Sequence, residues 1–330
     1  MAKKIKKGLM MKKQILLSLI VTALLGLNGC TDDKKVSSDE TNSSETNPMQ
    51  YISYTFNNQA QFVEAKEDGN ITDVSKHLAT INRGEEGWIN ISPNGEWLLL
   101  DSTRLDSECT GWGCLIYGKR DLSEFKTIKT VSESVIHTEG FSAISSSGNL
   151  IVAHMSGTNR NDLFVSIKGT NDRWSELRSI TSDSPSDNNR NPALSADGKE
   201  VLFDCGTSIC MVNSDGTNLQ TLISSDNTAF DLVRYADFDT TGNIVFEGDD
   251  GTERIWRYNR TSKQLSMVDE SKRNDNSPCV LSDGHIASLW MERQRQGDSI
   301  HELKIMTDSN YTMVIKDKDI TDSGIGCGGL

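Results

Sequence analysis

The stretch PALSADGKEVLFDC (192–205), continued by SICMVN (208–213), SDGTN (214–218) and LQTLI (219–223), decides the fold. It reads as a short apolar strand, a polar turn ending in Gly198, a longer apolar strand, and then a second hairpin. The turn chemistry is specific, because Ser195 supplies a side-chain acceptor and Gly198 tolerates positive φ. The same phrase returns as INISPNGEWLLLDS (89–102), SAISSSGNLIVAHM (142–155), ADFDTTGNIVFEGD (236–249) and PCVLSDGHIASLWM (278–291). The turn glycines Gly95, Gly148, Gly198, Gly242 and Gly284 are spaced by 53, 50, 44 and 42 residues. A fixed register at such a period signals a repeat architecture. No segment carries a sustained helical period, which argues against an α/β fold. A β-sandwich with ordinary hairpins is the plain alternative, but it gives no reason for five units in one register.

Four short strands per unit of roughly 40–50 residues match one blade of a β-propeller. Five visible blades need a sixth, because an open ring leaves strand hydrogen bonds unpaired. The two ends of the chain supply it. YISYTF (51–56), QFVEAKED (61–68) and DVSKHL (73–78) read as the second, third and fourth strands of a blade lacking its first. SGIGCGGL (323–330) reads as that missing first strand. The expectation is an all-β, six-bladed β-propeller over residues 51–330, closed by N-terminal strands plus the C-terminal strand.

The phrase LSADGKEVLF followed by ICMVNSDGTNLQTL resembles the repeat of TolB-type six-bladed propellers, in which a "SPDGxxIAF" strand pair precedes an "IYVMDxDG" strand. The resemblance covers about residues 51–330 and is degenerate at 142–155 and 236–249. TolB carries an additional N-terminal α/β domain, so this chain is expected to be a propeller-only relative, to which TolB's partner contacts do not transfer residue by residue. Seven cysteines occur, and Cys30 is set apart below as a lipidation site. The other six allow fifteen pairings. With the blades assigned, Cys109–Cys114 and Cys205–Cys210 each clip the hairpin between second and third strands of one blade. Cys279 and Cys327 fall on neighbouring inner strands, so a bond between them is expected to lock the ring.

The N-terminus reads as an address. Lys12 and Lys13 precede an apolar run from Ile15 to Leu27, which ends in Leu27-Asn28-Gly29-Cys30. A basic region, a short apolar core and small residues describe a secretory signal peptide, and about 13 apolar residues are too few to span a bilayer. The ending resembles the lipobox of bacterial lipoproteins, which implies acylation of Cys30 and attachment to the lipid bilayer. Residues 1–29 are thus expected to be the signal peptide, with Met11 giving a more ordinary start than Met1, and residues 30–50 a lipidated, solvated tether. Thr31 rather than aspartate follows Cys30, which leans towards the outer membrane, with the protein facing the periplasm or the surface. The chain of 330 residues has a net charge of −13, and without residues 1–29 and their six lysines the balance is 28 basic to 47 acidic, or −19. That charge argues against nucleic acid as a partner.

Motifs for chemistry are absent. GFSAI (140–144) and GDSIH (297–301) lack the second glycine of a nucleophile elbow, and no P-loop, dinucleotide fingerprint or zinc-protease motif occurs. The expectation is therefore no catalytic residue, no metal and no cofactor. A polysaccharide lyase using channel histidines is the rival, but of His77, His137, His154, His285 and His301 only His137 is placed to face the channel. What remains is a binding face on the loops that lead into the inner strands. Those loops hold Trp88, His137, Glu139, Arg190, Arg234 and Tyr235, besides Glu86, Asn191 and Asn276. Two arginines and two aromatics around one axis suit a carboxylate, a sugar or a peptide end. The function expected is a membrane-anchored, non-enzymatic envelope lipoprotein whose propeller binds a protein or a glycan.

Overall fold

The computed structural model describes residues 50–330, apart from positions 112, 139, 270, 273, 294–298, 308–309, 318–319, 321–323 and 330. Cys30, the signal segment and most of the tether lie outside the described residues. In chain order, β1 (Gln50–Phe56), β2 (Gln59–Glu64) and β3 (Ile71–Asp73) precede the helix α1 (Val74–Ala79). Blade 1 follows as β4 (Glu86–Ile91), β5 (Trp97–Ser102), β6 (Cys114–Lys119) and β7 (Lys126–Thr127). Blade 2 is β8 (Ala143–Ile144), β9 (Leu150–Ser156), β10 (Asn161–Ile167) and β11 (Arg178–Ser179). Blade 3 is β12 (Asn189–Leu194), β13 (Glu200–Cys205), β14 (Ser208–Asn213) and β15 (Gln220–Ile223). Blade 4 is β16 (Leu232–Phe238), β17 (Ile244–Asp249), β18 (Glu253–Tyr258) and β19 (Leu265–Met267). Blade 5 is β20 (Asp275–Val280), β21 (Ile286–Arg293), β22 (Ser299–Met306) and β23 (Tyr311–Asp317), and β24 (Gly326–Gly329) ends the chain's strands.

Each blade is a four-stranded antiparallel sheet in chain order, and the sixth sheet has the order β24-β1-β2-β3. Ring closure therefore joins the two extremities, with Ile52 opposite Cys327 and Gln50 opposite Gly329. The glycines of β24 answer to space. A Cβ on Gly328 would lie 2.6 Å from the Ser92 carbonyl oxygen and 2.7 Å from Gly95 Cα, so only a bare backbone fits against the first turn of blade 1.

The repeated turns form as their composition dictates. Gly95, Gly148, Gly198, Gly242 and Gly284 each donate an amide to the carbonyl three residues back, at 2.7–3.0 Å, and each has φ between 67° and 87°. The hydroxyls of Ser92, Ser145 and Ser195 and the carboxylate of Asp239 accept the amides that open the next strand. Side chains then alternate between the two neighbours of each blade. Val201 and Phe203 pack towards blade 2, whereas Leu202 packs towards blade 4. Six apolar clusters result, one at each blade junction. The junction of blades 4 and 5 also buries an ion pair, Lys304 Nζ to Asp275 Oδ1 at 2.6 Å.

One expected strand is different. DVSKHL contributes only Asp73 to β3, and Val74–Ala79 is helical. Asp73 Oδ1 accepts the Lys76 amide at 2.7 Å, an N-cap that starts the helix, while Val74 and Leu78 are buried one turn apart. The outer strand is instead Ile71–Asp73, reached by a turn through Asp68 and Gly69 that ends β2 at Glu64, short of the expected Asp68. Among the described residues no helix is long and apolar enough to cross a membrane.

All three expected disulfides form: Cys109–Cys114, Cys205–Cys210 and Cys279–Cys327, with Cα separations of 5.1, 5.8 and 5.4 Å. The two clips close five-residue separations, whereas Cys279–Cys327 spans 48 residues and links β20 to β24. In the chain-entropy account the wider loop is worth about 4 kcal/mol and a clip about 2 kcal/mol. Guanidinium unfolding of the full chain should accordingly show a larger loss for Cys279→Ala/Cys327→Ala than for Cys205→Ala/Cys210→Ala. The reverse order would contradict the assignment of Cys279–Cys327 as the closure.

Candidate functional site

The inner strands surround a central channel that holds about 1000 Å³ of space, open solvent at its mouth included. Its wall is mostly apolar, and residues from all six blades contribute to it. The polar positions that matter are Asn90, Asn191, Tyr235, Asp237 and Ser277. Four inner strands break register at one level, at Glu86/Ile89, Arg190/Ala193, Arg234/Asp237 and Asn276/Cys279. Such bulges re-aim side chains. Three consecutive blades place a non-glycine residue there in the left-handed region: Asn191 (φ 52°), Tyr235 (φ 51°) and Ser277 (φ 47°).

A conformation of this kind persists only where the surroundings over-determine it, and buried acids on the second strands do so. Asp204 Oδ2 accepts from Asn191 Nδ2 at 2.7 Å, and its Oδ1 accepts the Tyr235 amide at 2.9 Å. Glu247 Oε2 accepts the Ser277 amide at 3.1 Å, and Oε1 accepts from Arg234 Nε at 2.6 Å. Asp101 Oδ1 accepts the Thr138 hydroxyl at 2.7 Å. In each case a carboxyl of one blade grips the segment leading into the next blade. Burial pushes Asp101 and Asp204 up to about 7, and raises Glu247 to about 7 against the pull of Arg234. Inside the channel wall Asp237 ties two inner strands together. Its Oδ1 accepts the Phe238 amide at 2.8 Å, its Oδ2 accepts the Val280 amide at 2.9 Å, and burial raises it to about 6. Asn90 does similar work between blades 1 and 2, donating to the Ser142 carbonyl at 3.0 Å.

The residues expected at the mouth divide. Tyr235 and Asn191 line the channel. Arg234 is engaged by Glu247 and by Glu253 Oε1 at 3.1 Å, and its guanidinium sits 5.1 Å from the Tyr235 ring centre. Arg190 is exposed and donates to Asn188 Oδ1 at 2.8 Å. Trp88 is half-buried, and His137 is exposed with Nδ1 2.9 Å from the Gly113 carbonyl. Neither of those two, nor either arginine, is part of the channel lining. Glu139 lies outside the described residues. Loop position foretold the right end of the strands but not the direction of each side chain. Asp237 and Phe141 are not among the residues expected at the mouth, although an aspartate set between Ala236 and Phe238 in ADFD is a readable signal. Among the described residues no group of three His, Cys, Asp or Glu converges as metal ligands, and no histidine lines the channel.

No family model matches the chain, and no curated protein does. Solved structures share its fold. A TolB structure from Agrobacterium tumefaciens superposes with a TM-score of 0.55 at 15% identity, over 86% of this chain and 99% of that one. A chain of a nidogen/laminin complex gives 0.56 at 12% identity, over 84% and 98%. An oligogalacturonate lyase from Vibrio parahaemolyticus gives 0.51 at 13% identity, over 83% of each. The chain is thus a TolB-like six-bladed β-propeller in fold, an architecture shared by proteins of unlike function.

The raised carboxyls have a consequence in pH. A carboxyl whose value in the fold lies above its value in the unfolded chain binds a proton more tightly in the fold, so its contribution is full below about pH 4 and is lost as pH rises through about 7. The exposed carboxylates Asp172 and Asp197, held down to about 2 by Lys126 and Lys199, titrate below that window. Thermal unfolding between pH 5 and pH 8 should therefore give a melting temperature that falls with rising pH. Asp204→Asn should flatten this slope, and an unchanged slope would show that Asp204 does not titrate in the window.

Proposed function

We propose that the chain is a lipid-tethered protein of the cell envelope whose propeller binds another envelope component, a protein or a glycan, without transforming it. The observation that carries this reading is the channel wall: largely apolar, with a few polar groups held at strained bulges by buried acids. Concave, mostly apolar surfaces with sparse, fixed polar groups are the common form of a ligand site. Three disulfides suit an oxidising compartment, in keeping with the signal-like N-terminus. Acyl chains on Cys30 would hold the protein at a bilayer, by about 0.8 kcal/mol per buried methylene. Residues 31–49, rich in Ser, Thr, Asp and Glu, would hold the propeller away from it. The absence of Asp at position 31 favours the outer membrane.

Labelled palmitate should enter the full chain in a bacterial host and the label should be lost in Cys30→Ser, with release of the protein from the membrane fraction. Equal labelling of the two would remove the anchor from this reading. Incubation of the full chain with envelope polysaccharides, with and without divalent metal, should give no turnover. Turnover would replace the binding role by an enzymatic one.

A further inference from the structure

On the reading that the channel is a binding site, we propose that it selects a slender, apolar-bodied ligand ending in a positive charge, and that the charge is seated at Asp237. Sequence position suggested the opposite sign, because Arg190 and Arg234 stand at the mouth. Geometry removes both. Arg234 is neutralised by Glu247 and Glu253, and Arg190 points to Asn188 at the surface. Among the described residues that line the channel there is no lysine, arginine or histidine, and the carboxyls are Asp237 and Asp239. Asp239 stands beyond the end of the inner strand, in the turn, where its Oδ1 accepts from the Thr241 amide and hydroxyl and from the Asn243 amide.

Asp237 is different. Each of its oxygens accepts one backbone amide, and a carboxylate oxygen has a second lone pair to offer. Two backbone donors fix the group without supplying a counter-cation, so its negative charge faces the apolar channel uncompensated. A second, independent observation lies further along the same wall, beside Glu247. Ser277 lines the channel on β20, the strand that Asp237 reaches; it is 2% exposed, and its hydroxyl has no hydrogen-bond partner. Buried hydroxyls are ordinarily satisfied, and a bound ammonium or its attached polar group would complete this one. Phe141, Tyr235 and Phe238 add aromatic surface to the wall, which favours a cation over an anion. An anion in the same place would meet the charge of Asp237 in a desolvated setting with no donor side chain of positive charge to offset it.

The test compares three probes of one shape, n-butylammonium, n-butanol and n-butyrate, titrated at pH 7.5 into the methyl-labelled full chain. The methyl signals of Ile91, Ile144 and Ile325, all in the channel wall, report where each probe binds. The expected result is that butylammonium shifts them at a concentration at least tenfold below that needed by butyrate. In Asp237→Asn it should fall to the level of butanol. Asn90 occupies a matching inner-strand position and its Oδ1 accepts the next residue's amide, so Asp237→Asn keeps the bond from Phe238 and gives up the one from Val280. The wild-type comparison decides by itself should the variant not fold. Butyrate binding as well as butylammonium, with the channel methyls responding, would overturn the charge selection and leave the binding site standing. An ammonium preference unchanged in folded Asp237→Asn would overturn the seat at Asp237. No response to any probe would overturn the channel as a site for such ligands, and the selection with it.

Discussion

Each blade has two apolar faces, and that single constraint governs the rest. A sheet such as β12–β15, with Val201 and Phe203 on one side and Leu202 on the other, stays wet on one face unless a neighbour stands on both sides. Adding neighbours never ends in a row, because the last sheet always has an uncovered face. A circle ends it. Each junction that closes removes apolar surface from water, at roughly 25 cal/mol per Å². Closure must be made between the most distant parts of the described chain. The four-residue strand β24 and the Cys279–Cys327 bond together secure that junction.

A ring built this way draws its inner strands close together, and crowding there explains the polar chemistry of the centre. Backbone that bulges into the channel exposes amides that cannot be left unpaired. Asp204 and Glu247 take those of Tyr235 and Ser277, and Asp237 takes that of Val280. These acids are struts between blades. Asp204 and Glu247 stand on the second strands, behind the wall, whereas Asp237 stands in the wall and meets the channel. The distinction separates a residue that shapes the site from one that a ligand can touch.

Much of the architecture was legible in the chain because the repeat carries redundant signals. The glycine turn, the paired apolar runs and the interval all recur, so a degenerate unit such as 142–155 is rescued by its neighbours. The disulfides followed once Cys279 and Cys327 fell on adjoining inner strands. What could not be read was local. DVSKHL has too few residues for a helical period to declare itself, and the Asp73 cap together with the burial of Val74 and Leu78 holds it as helix. Arg234 and Tyr235 are adjacent in sequence, yet a bulge sends one to Glu247 behind the wall and the other to the channel. Alternation predicts facing only while the register holds, and at the centre of this ring it does not.

The position of β1 within its sheet bears on how the protein withstands load. Because β24 lies beyond it, β1 has a partner on each side, and the polypeptide leading into Gln50 joins a strand that is zipped along both flanks. Tension arriving from the N-terminal side has no edge strand to peel. Pulling β1 free breaks two ladders of hydrogen bonds, one of them riveted through Cys327 to the adjacent sheet, so a load on the N-terminal side is shared between two neighbours.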